Sequence, residues 1–361
     1  MAARMFPMRT LLRAIALSSV ALLGACVTTY EELPLFGQPA KPPAYATAMT
    51  IPFGVGAPDP ADGVVSDFYR SVLQRMHEAA KENDIAGLEA LLANYERPGM
   101  PSPVQQRVAG YRAVARGLNF RQHLRAHARL VPVAPPEGSP AQQEAGAPAL
   151  GAPLHYELQV PAGSDVVTLG AKDSDDPIGF VVSVSVEDAF VEGGSRSLRK
   201  QDFLWLPEPF ALRGDAVLRL PLAVDFPGEG AVKREVLVRI DLMPGYVLHE
   251  GGRSPVPRTT IAAATTTQFP VGYAAVAAAP LAELQRALQQ FDPKTFARAF
   301  LAAYATSGDD RDKAIGLLIE QVRFGRADQA QVAMAALRAI TQANVVVGDR
   351  DGWLAWWQNR R

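Results

Sequence analysis

The stretch Val232-Lys233-Arg234-Glu235-Val236-Leu237-Val238-Arg239-Ile240-Asp241 decides the fold class. Val232, Arg234, Val236, Val238 and Ile240 fall on one side of it, and Lys233, Glu235, Leu237, Arg239 and Asp241 on the other. A period of two is that of a β-strand, whose side chains point to opposite faces in turn. One face is apolar and the other largely charged, which places the strand in a sheet with one side against a core and the other in solvent. Further runs of this kind lie at 154–160, 166–169, 180–190, 203–206, 216–224 and 259–269, separated by clusters of Gly, Pro, Asp and Ser. That spacing predicts an antiparallel β-sandwich over residues 118–276.

The sandwich region opens on a second alternation, Phe120, Leu124, Ala126, Ala128 and Leu130 against Arg121, His123, Arg125, His127 and Arg129. It predicts another half-buried strand; the competing helical reading would bring His123 and His127 together. Residues 132–153 carry six prolines and many small residues, which predicts a long, disordered hairpin loop. Upstream, residues 61–117 read as helices. Val65, Phe68, Tyr69, Val72, Leu73, Met76, Ala79 and Ala80 share one helix face, and Asp84 caps a shorter helix bearing Ile85, Leu88, Leu91 and Leu92. Ser102, Pro103 and Gln105 fit the capped start of a third helix, running to about residue 117.

The last 85 residues, 277–361, return to helical spacing. Helices are expected at 281–290, from Pro293 onward, at 310–324 and at 327–343. A short final helix carries Trp353, Trp356 and Trp357 on one face, which suits a lid over an open stack better than a binding platform. Phe296 and Val332, like Leu301 and Leu337, are offset by 36 residues, near the period of stacked helical pairs. This region resembles HEAT-repeat proteins, and the middle region resembles an immunoglobulin-like β-sandwich in strand number and length, without the cysteine pair. The expected fold is therefore multidomain: an N-terminal helical segment, an antiparallel immunoglobulin-like β-sandwich and C-terminal HEAT-like α-helical repeats.

The N-terminus carries a different kind of signal. Arg4, Arg9 and Arg13 precede an apolar core at 14–23, and small residues follow, the three-part form of an export leader over residues 1–25. The core is shorter than the roughly 20 residues that a membrane helix needs. Leu23, Gly24, Ala25 and Cys26 resemble the lipobox of bacterial lipoproteins. The resemblance implies that Cys26, the only cysteine of the chain, becomes the lipidated first residue of the mature protein. With Val rather than Asp at position 27, it also implies an outer-membrane destination. Residues 26–60, rich in Pro and Ala, then read as an extended tether.

Net charge is −1 over 361 residues, which gives no electrostatic basis for a nucleic-acid partner. No motif implies a cofactor: GxGxxG and Walker loops are absent, and Gly193, Gly194 and Ser195 continue as Arg196 and Ser197 rather than as a nucleophile elbow. His123 and His127 have metal-ligand spacing, but Leu124 stands where HExxH requires Glu, so no metal site is expected. Asp173, Asp175 and Asp176 lack EF-hand spacing and read as an acidic turn. Residues 97–136 hold seven arginines and no acid, whereas 59–96 hold eight acids and three bases. Either these segments pair internally, or Arg121, Arg125 and Arg129 form a patch for an envelope protein or acidic glycan. The leading expectation is a non-catalytic lipoprotein, held to the membrane by its N-terminal lipid, that binds or scaffolds another macromolecule. The alternative is an envelope hydrolase acting on glycan or peptide.

Overall fold

A computed structural model describes residues 30–32, 66–134, 143–144, 147–191, 195–226, 230–250, 252–290, 293–341 and 343–360. The expected leader, Cys26 and most of the tether lie outside them. Among the described residues no helix is long and apolar enough to cross a membrane.

Three helices come first: α1 (Asp67–Glu82), α2 (Ile85–Tyr95) and α3 (Ser102–His127). Ser66 caps α1 at the backbone of Tyr69, and Asn83, in the left-handed region at φ 58°, ends it. Asp84 caps α2 by accepting from the Gly87 amide at 2.9 Å. The start of α3 differs from the expected box. Pro101 holds the N-cap position without a side-chain bond, and Ser102 is already helical.

Helix α3 also overturns the strand expected at 118–130. Phe120, Leu124 and Ala128 are four residues apart, a step that satisfies a two-residue period and a helix face equally. Ala126 separates the two readings: a strand would bury it, and it is exposed. Of the expected strand only Arg129 and Leu130 belong to one, β2 (Arg129–Pro132). The first half of α3 packs Val104, Val108, Tyr111, Val114 and Leu118 against Leu73, Met76 and Leu88 of α1 and α2. Its second half inserts Phe120 and Leu124 into the β core.

The sheets are built from β1 (Tyr30–Glu32), β2, β3 (Gln143–Glu144), β4 (Ala147–Pro148), β5 (Leu154–Pro161), β6 (Val167–Leu169), β7 (Gly179–Ala189), β8 (Ser195–Trp205), β9 (Phe210–Leu212), β10 (Val217–Val224), β11 (Lys233–Leu242), β12 (Gly245–His249), β13 (Gly252–Val256) and β14 (Thr259–Gln268). Antiparallel strands in the order β8-β7-β11-β14, with β1 added parallel to β8, form one sheet; β10-β5-β2 form a second. A small sheet, β13-β12-β6-β9, and the β3-β4 hairpin complete the set. That hairpin lies inside the expected disordered loop, most of whose remainder is outside the described residues. Strands β9, β12 and β13 had no clear sequence signal, being short or interrupted by Gly and Pro. β8 is far longer than the expected 203–206, because its Lys200 and Asp202 point inward at the edge of the layer and break the alternation.

Inward rows of β7 (Phe180, Val182, Val184, Val186) and β11 (Val236, Val238, Ile240) meet Tyr156, Leu158 and Val160 of β5 and Leu218, Leu220 and Leu222 of β10 in one core. Each such side chain contributes about 1.5–3 kcal/mol by leaving water. Arg234 occupies the next inward position of the β11 row, and its side chain is fully buried, as is that of Asp188. The two are direct cross-strand partners. Arg234 Nε and Nη2 donate to the two Asp188 carboxylate oxygens at 2.6 and 2.9 Å, and Nη1 donates to the Phe226 carbonyl at 3.0 Å. Arg196, opposite Asp188 on β8, donates to the same carboxylate at 2.8 Å. Gln268, opposite Arg234 on β14, donates to the carbonyls of Ala149 and Ala152. One polar rung thus crosses four strands on the inner face.

Beyond that rung lies the second large core. Helices α4 (Tyr273–Ala278), α5 (Pro280–Gln290), α6 (Pro293–Ala305), α7 (Gly308–Phe324), α8 (Ala327–Thr341) and α9 (Arg350–Arg360) bury Leu284, Phe300, Leu318, Leu337 and Trp353 together with Val232 and Phe269 of the β region. Phe269 stacks on Tyr273 with ring centres 3.9 Å apart, and Lys233 Nζ lies 4.3 Å from the Tyr304 ring centre. The chain is thus antiparallel β-sheet in the middle and helical at the C-terminus, with the polar rung at the seam.

Candidate functional site

The three arginines singled out by sequence do not form one stripe. Arg121 and Arg125 stand one helical turn apart on α3, while Arg129 has left the helix for β2. Arg121 donates to Asn83 Oδ1 at 2.7 Å. Burial lowers its proton affinity, and the neighbouring Arg125 charge lowers it further. Arg125 and Arg129 are exposed. Among the described residues none of the three has a carboxylate within ion-pair distance. Elsewhere the acidic and basic segments do meet, in the ion pair of Arg112 with Glu96 and the bond from Asn119 to Glu89. Internal pairing therefore takes up part of α3 and leaves Arg125 and Arg129 facing solvent.

His123 and His127, one helical turn apart on α3, have ring centres 4.7 Å apart with the rings tilted by 37°. Leu124 between them is core. The His123 Nε2 bonds the Pro161 carbonyl at 2.9 Å. The ring also borders a small cavity of about 60 Å³, lined as well by Asn119, Phe120, Ser164, Asp165 and His249. His249, on β12, is 9% exposed, and neither ring nitrogen finds a hydrogen-bond partner among the described residues. Burial lowers its pKa from the ordinary 6.5; Asp165 works against that shift, and Arg116 reinforces it. This pocket admits solvent molecules rather than a sugar or peptide. Among the described residues no three His, Cys, Asp or Glu side chains converge as a metal site.

A larger concavity, about 450 Å³, lies on the outer face of the β8-β7-β11 sheet. Two neighbouring rungs build it: Gln201–Ser183–Arg239 and Arg199–Ser185–Leu237. The middle strand carries the two small side chains and its neighbours carry long ones, so the surface dips along β7 into a trough. At one end sits Asp241, nearly buried, which accepts from Arg258 at 2.8 Å, Thr260 at 2.8 Å and Arg239 at 3.2 Å. Burial acts to raise the Asp241 carboxyl, but the bonds from Arg258 and Thr260 and the two guanidinium charges outweigh it, and the group titrates below the usual carboxylate range. Sequence reasoning missed this trough, because its walls come from three strands whose register had to be known.

No family model, curated protein or solved structure matches this chain. Its chemistry must therefore be read from its own residues.

Asp176 of the acidic turn pairs with Arg253, whose guanidinium lies 4.3 Å from the Tyr246 ring centre. Trp353 is buried in the helical core and donates from Nε1 to the Val346 carbonyl at 3.2 Å. Trp356 and Trp357 are half-buried beside it, with Arg360 over the Trp356 ring. Gly193 and Gly194 lie outside the described residues, and Ser195 begins β8.

The His249 environment carries a pH dependence. The unfolded chain takes up this proton near pH 6.5, whereas the folded chain resists it, so the contribution is intact above that pH and is lost as pH falls below it. The melting temperature of the full chain is expected to drop between pH 7.5 and 5. The drop should be smaller in His249→Leu. An identical drop in that variant would remove His249 as the cause.

Proposed function

We propose that the chain is a lipid-anchored, non-catalytic protein of the bacterial cell envelope, held at the membrane by Cys26, and that it binds an acidic macromolecule. The outer membrane is the destination proposed from the lipobox-like segment. The observation that carries the binding part is the surface of α3 and β2, where Arg125 and Arg129 are exposed with no carboxylate partner among the described residues, and Arg121, one helical turn from Arg125, donates to Asn83. Guanidinium groups in such a setting pair with carboxylates or phosphates through parallel N–H bonds. We read the β-layers as an immunoglobulin-like sandwich and α5–α8 as HEAT-like helical pairs. Both architectures present broad surfaces without needing a reactive group, an inference by fold analogy.

Anchoring is tested by membrane fractionation. Cys26→Ser is expected to leave the protein unprocessed or released from the membrane pellet, and membrane association equal to the wild type would contradict the lipid anchor. Partner capture is tested by crosslinking in intact envelope. Replacing Arg121, Arg125 and Arg129 together by Gln is expected to abolish the crosslinked species. The stability cost should stay within roughly 1 kcal/mol, because Arg121 alone gives up a hydrogen bond to a side chain. A large loss of stability with capture intact would show that these residues serve the fold instead.

A further inference from the structure

We propose that the fold sits edge-on at the membrane: the Ser195 end of the β8 edge rests against the phospholipid headgroup layer, pinned there because β1 begins four residues after lipidated Cys26. The inference rests on the reading of Cys26 as the lipid anchor and adds which part of the fold meets the bilayer.

Pairing and covalent reach together fix this placement. Strand β1 adds to the outer edge of β8 in parallel, with Tyr30 opposite Ser197, Glu31 opposite Leu198 and Glu32 opposite Arg199. Its backbone is thereby part of the folded body, so the Pro- and Ala-rich run expected to act as one tether over 26–60 is divided at Tyr30. Downstream of β1, residues 33–65 join two parts of the same fold, β1 and α1, and add no distance between the body and Cys26. From Cys26 to Tyr30 there are four Cα steps, which span at most about 14 Å when fully extended. A tether free as far as Ser66 would have about forty steps and a mean span of about 35 Å even as a flexible coil. Acyl chains on Cys26 have to lie in hydrocarbon, which places that residue in a headgroup layer roughly 5–7 Å thick. The direction of pairing then selects the end of the sheet. Because β1 runs parallel to β8, the chain reaches Tyr30 from the Ser195 end. Ser195 is exposed and stands two residues before Ser197, about 7 Å along the strand. Trp205, at the other end of β8, stands eight residues beyond Ser197, about 26 Å away and outside the reach of the link. The same pairing leaves β8 no open backbone edge from Ser197 to Arg199. What this edge meets is therefore a lipid surface and not an added partner strand.

Fluorescence quenching by lipid tests the placement. The lipidated full chain is bound to phosphatidylethanolamine–phosphatidylglycerol vesicles that carry a nitroxide on the headgroup. A fluorophore is attached through Ser195→Cys or, at the exposed turn past the far end of β8, through Glu208→Cys; the sulfur of Cys26 is consumed by its lipid. Strong quenching is expected at Ser195 and little at Glu208. Because reach rather than charge sets the placement, the result should be the same at low and high salt. A Gly/Ser insert of about 30 residues between Thr29 and Tyr30 should abolish the quenching at Ser195, since the mean span of the link rises to about 30 Å. The same insert after Tyr45 should leave it unchanged, and both inserted forms should keep the wild-type melting temperature. Equal effects of the two inserts, equal quenching at the two positions, or an unquenched Ser195 probe on protein that pellets with the vesicles would each overturn this placement while leaving the anchor in force. Full chain that does not pellet with the vesicles would remove the lipid-anchor reading, and the placement with it.

Discussion

The buried pair of Arg234 and Asp188 is the constraint on which the rest of the architecture depends. Two opposite charges are removed from water at the boundary between the β core and the core of the C-terminal helices. Desolvating such groups costs several kcal/mol each, and only close geometry with every remaining donor satisfied offsets that cost. The rung meets most of the requirement through two bonds to one carboxylate, a third from Arg196 and a fourth from Arg234 to the Phe226 carbonyl, while Arg196 Nε is buried with no partner among the described residues. Its main effect is on register. A slip of one residue between β7 and β11 would send one charge to the solvent face and leave the other buried alone. Parity on the inner face then sets parity on the outer face. Ser183 and Ser185 stand between Arg199, Gln201, Leu237 and Arg239 because Asp188 stands between Arg196 and Arg234.

Helix α3 ties in the third core. Its two halves bury different faces, one against α1 and α2 and one against the β region. Gly117 sits where the helix passes β13, and a Cβ there would overlap the Pro255 carbonyl oxygen. The close approach lets Arg116 reach the Glu250 carbonyl at 2.9 Å and brings Phe120 to the His249 ring. The unpartnered His249 nitrogens therefore lie at the joint between helix and β-hairpin, where a change of protonation acts on docking rather than on one strand alone.

What the sequence made legible, and what it hid, follows from the range of the interactions. The period of 232–241 identified β11, and helical spacing found α1, α2 and α5 to α9 within a few residues, since both depend on near neighbours. Asp84 at the α2 cap was readable for the same reason. Arg234 on the apolar face had no visible explanation, because Asp188 lies 46 residues away. The second half of α3 was misread because its buried residues fall at steps of four, and exposed Ala126 was the one position that separated helix from strand. The trough was hidden twice over. Serines at 183 and 185 look like ordinary outward strand positions until β8 and β11 are set beside them. His249 likewise gave no signal, since its neighbours come from α3, the 161–166 turn and β12.

A double-mutant cycle on Asp188 and Arg234, read by urea unfolding of the full chain, tests the central claim most directly. Asp188→Leu and Arg234→Met should each cost about 3–5 kcal/mol, the loss found when one member of a buried pair is left alone. The double variant should cost less than the sum by about 2–3 kcal/mol, the coupling expected of residues in contact. Losses that add to within about 0.5 kcal/mol, as for independent sites, would show that the pair does not hold the seam, and the account built on its register would be contradicted.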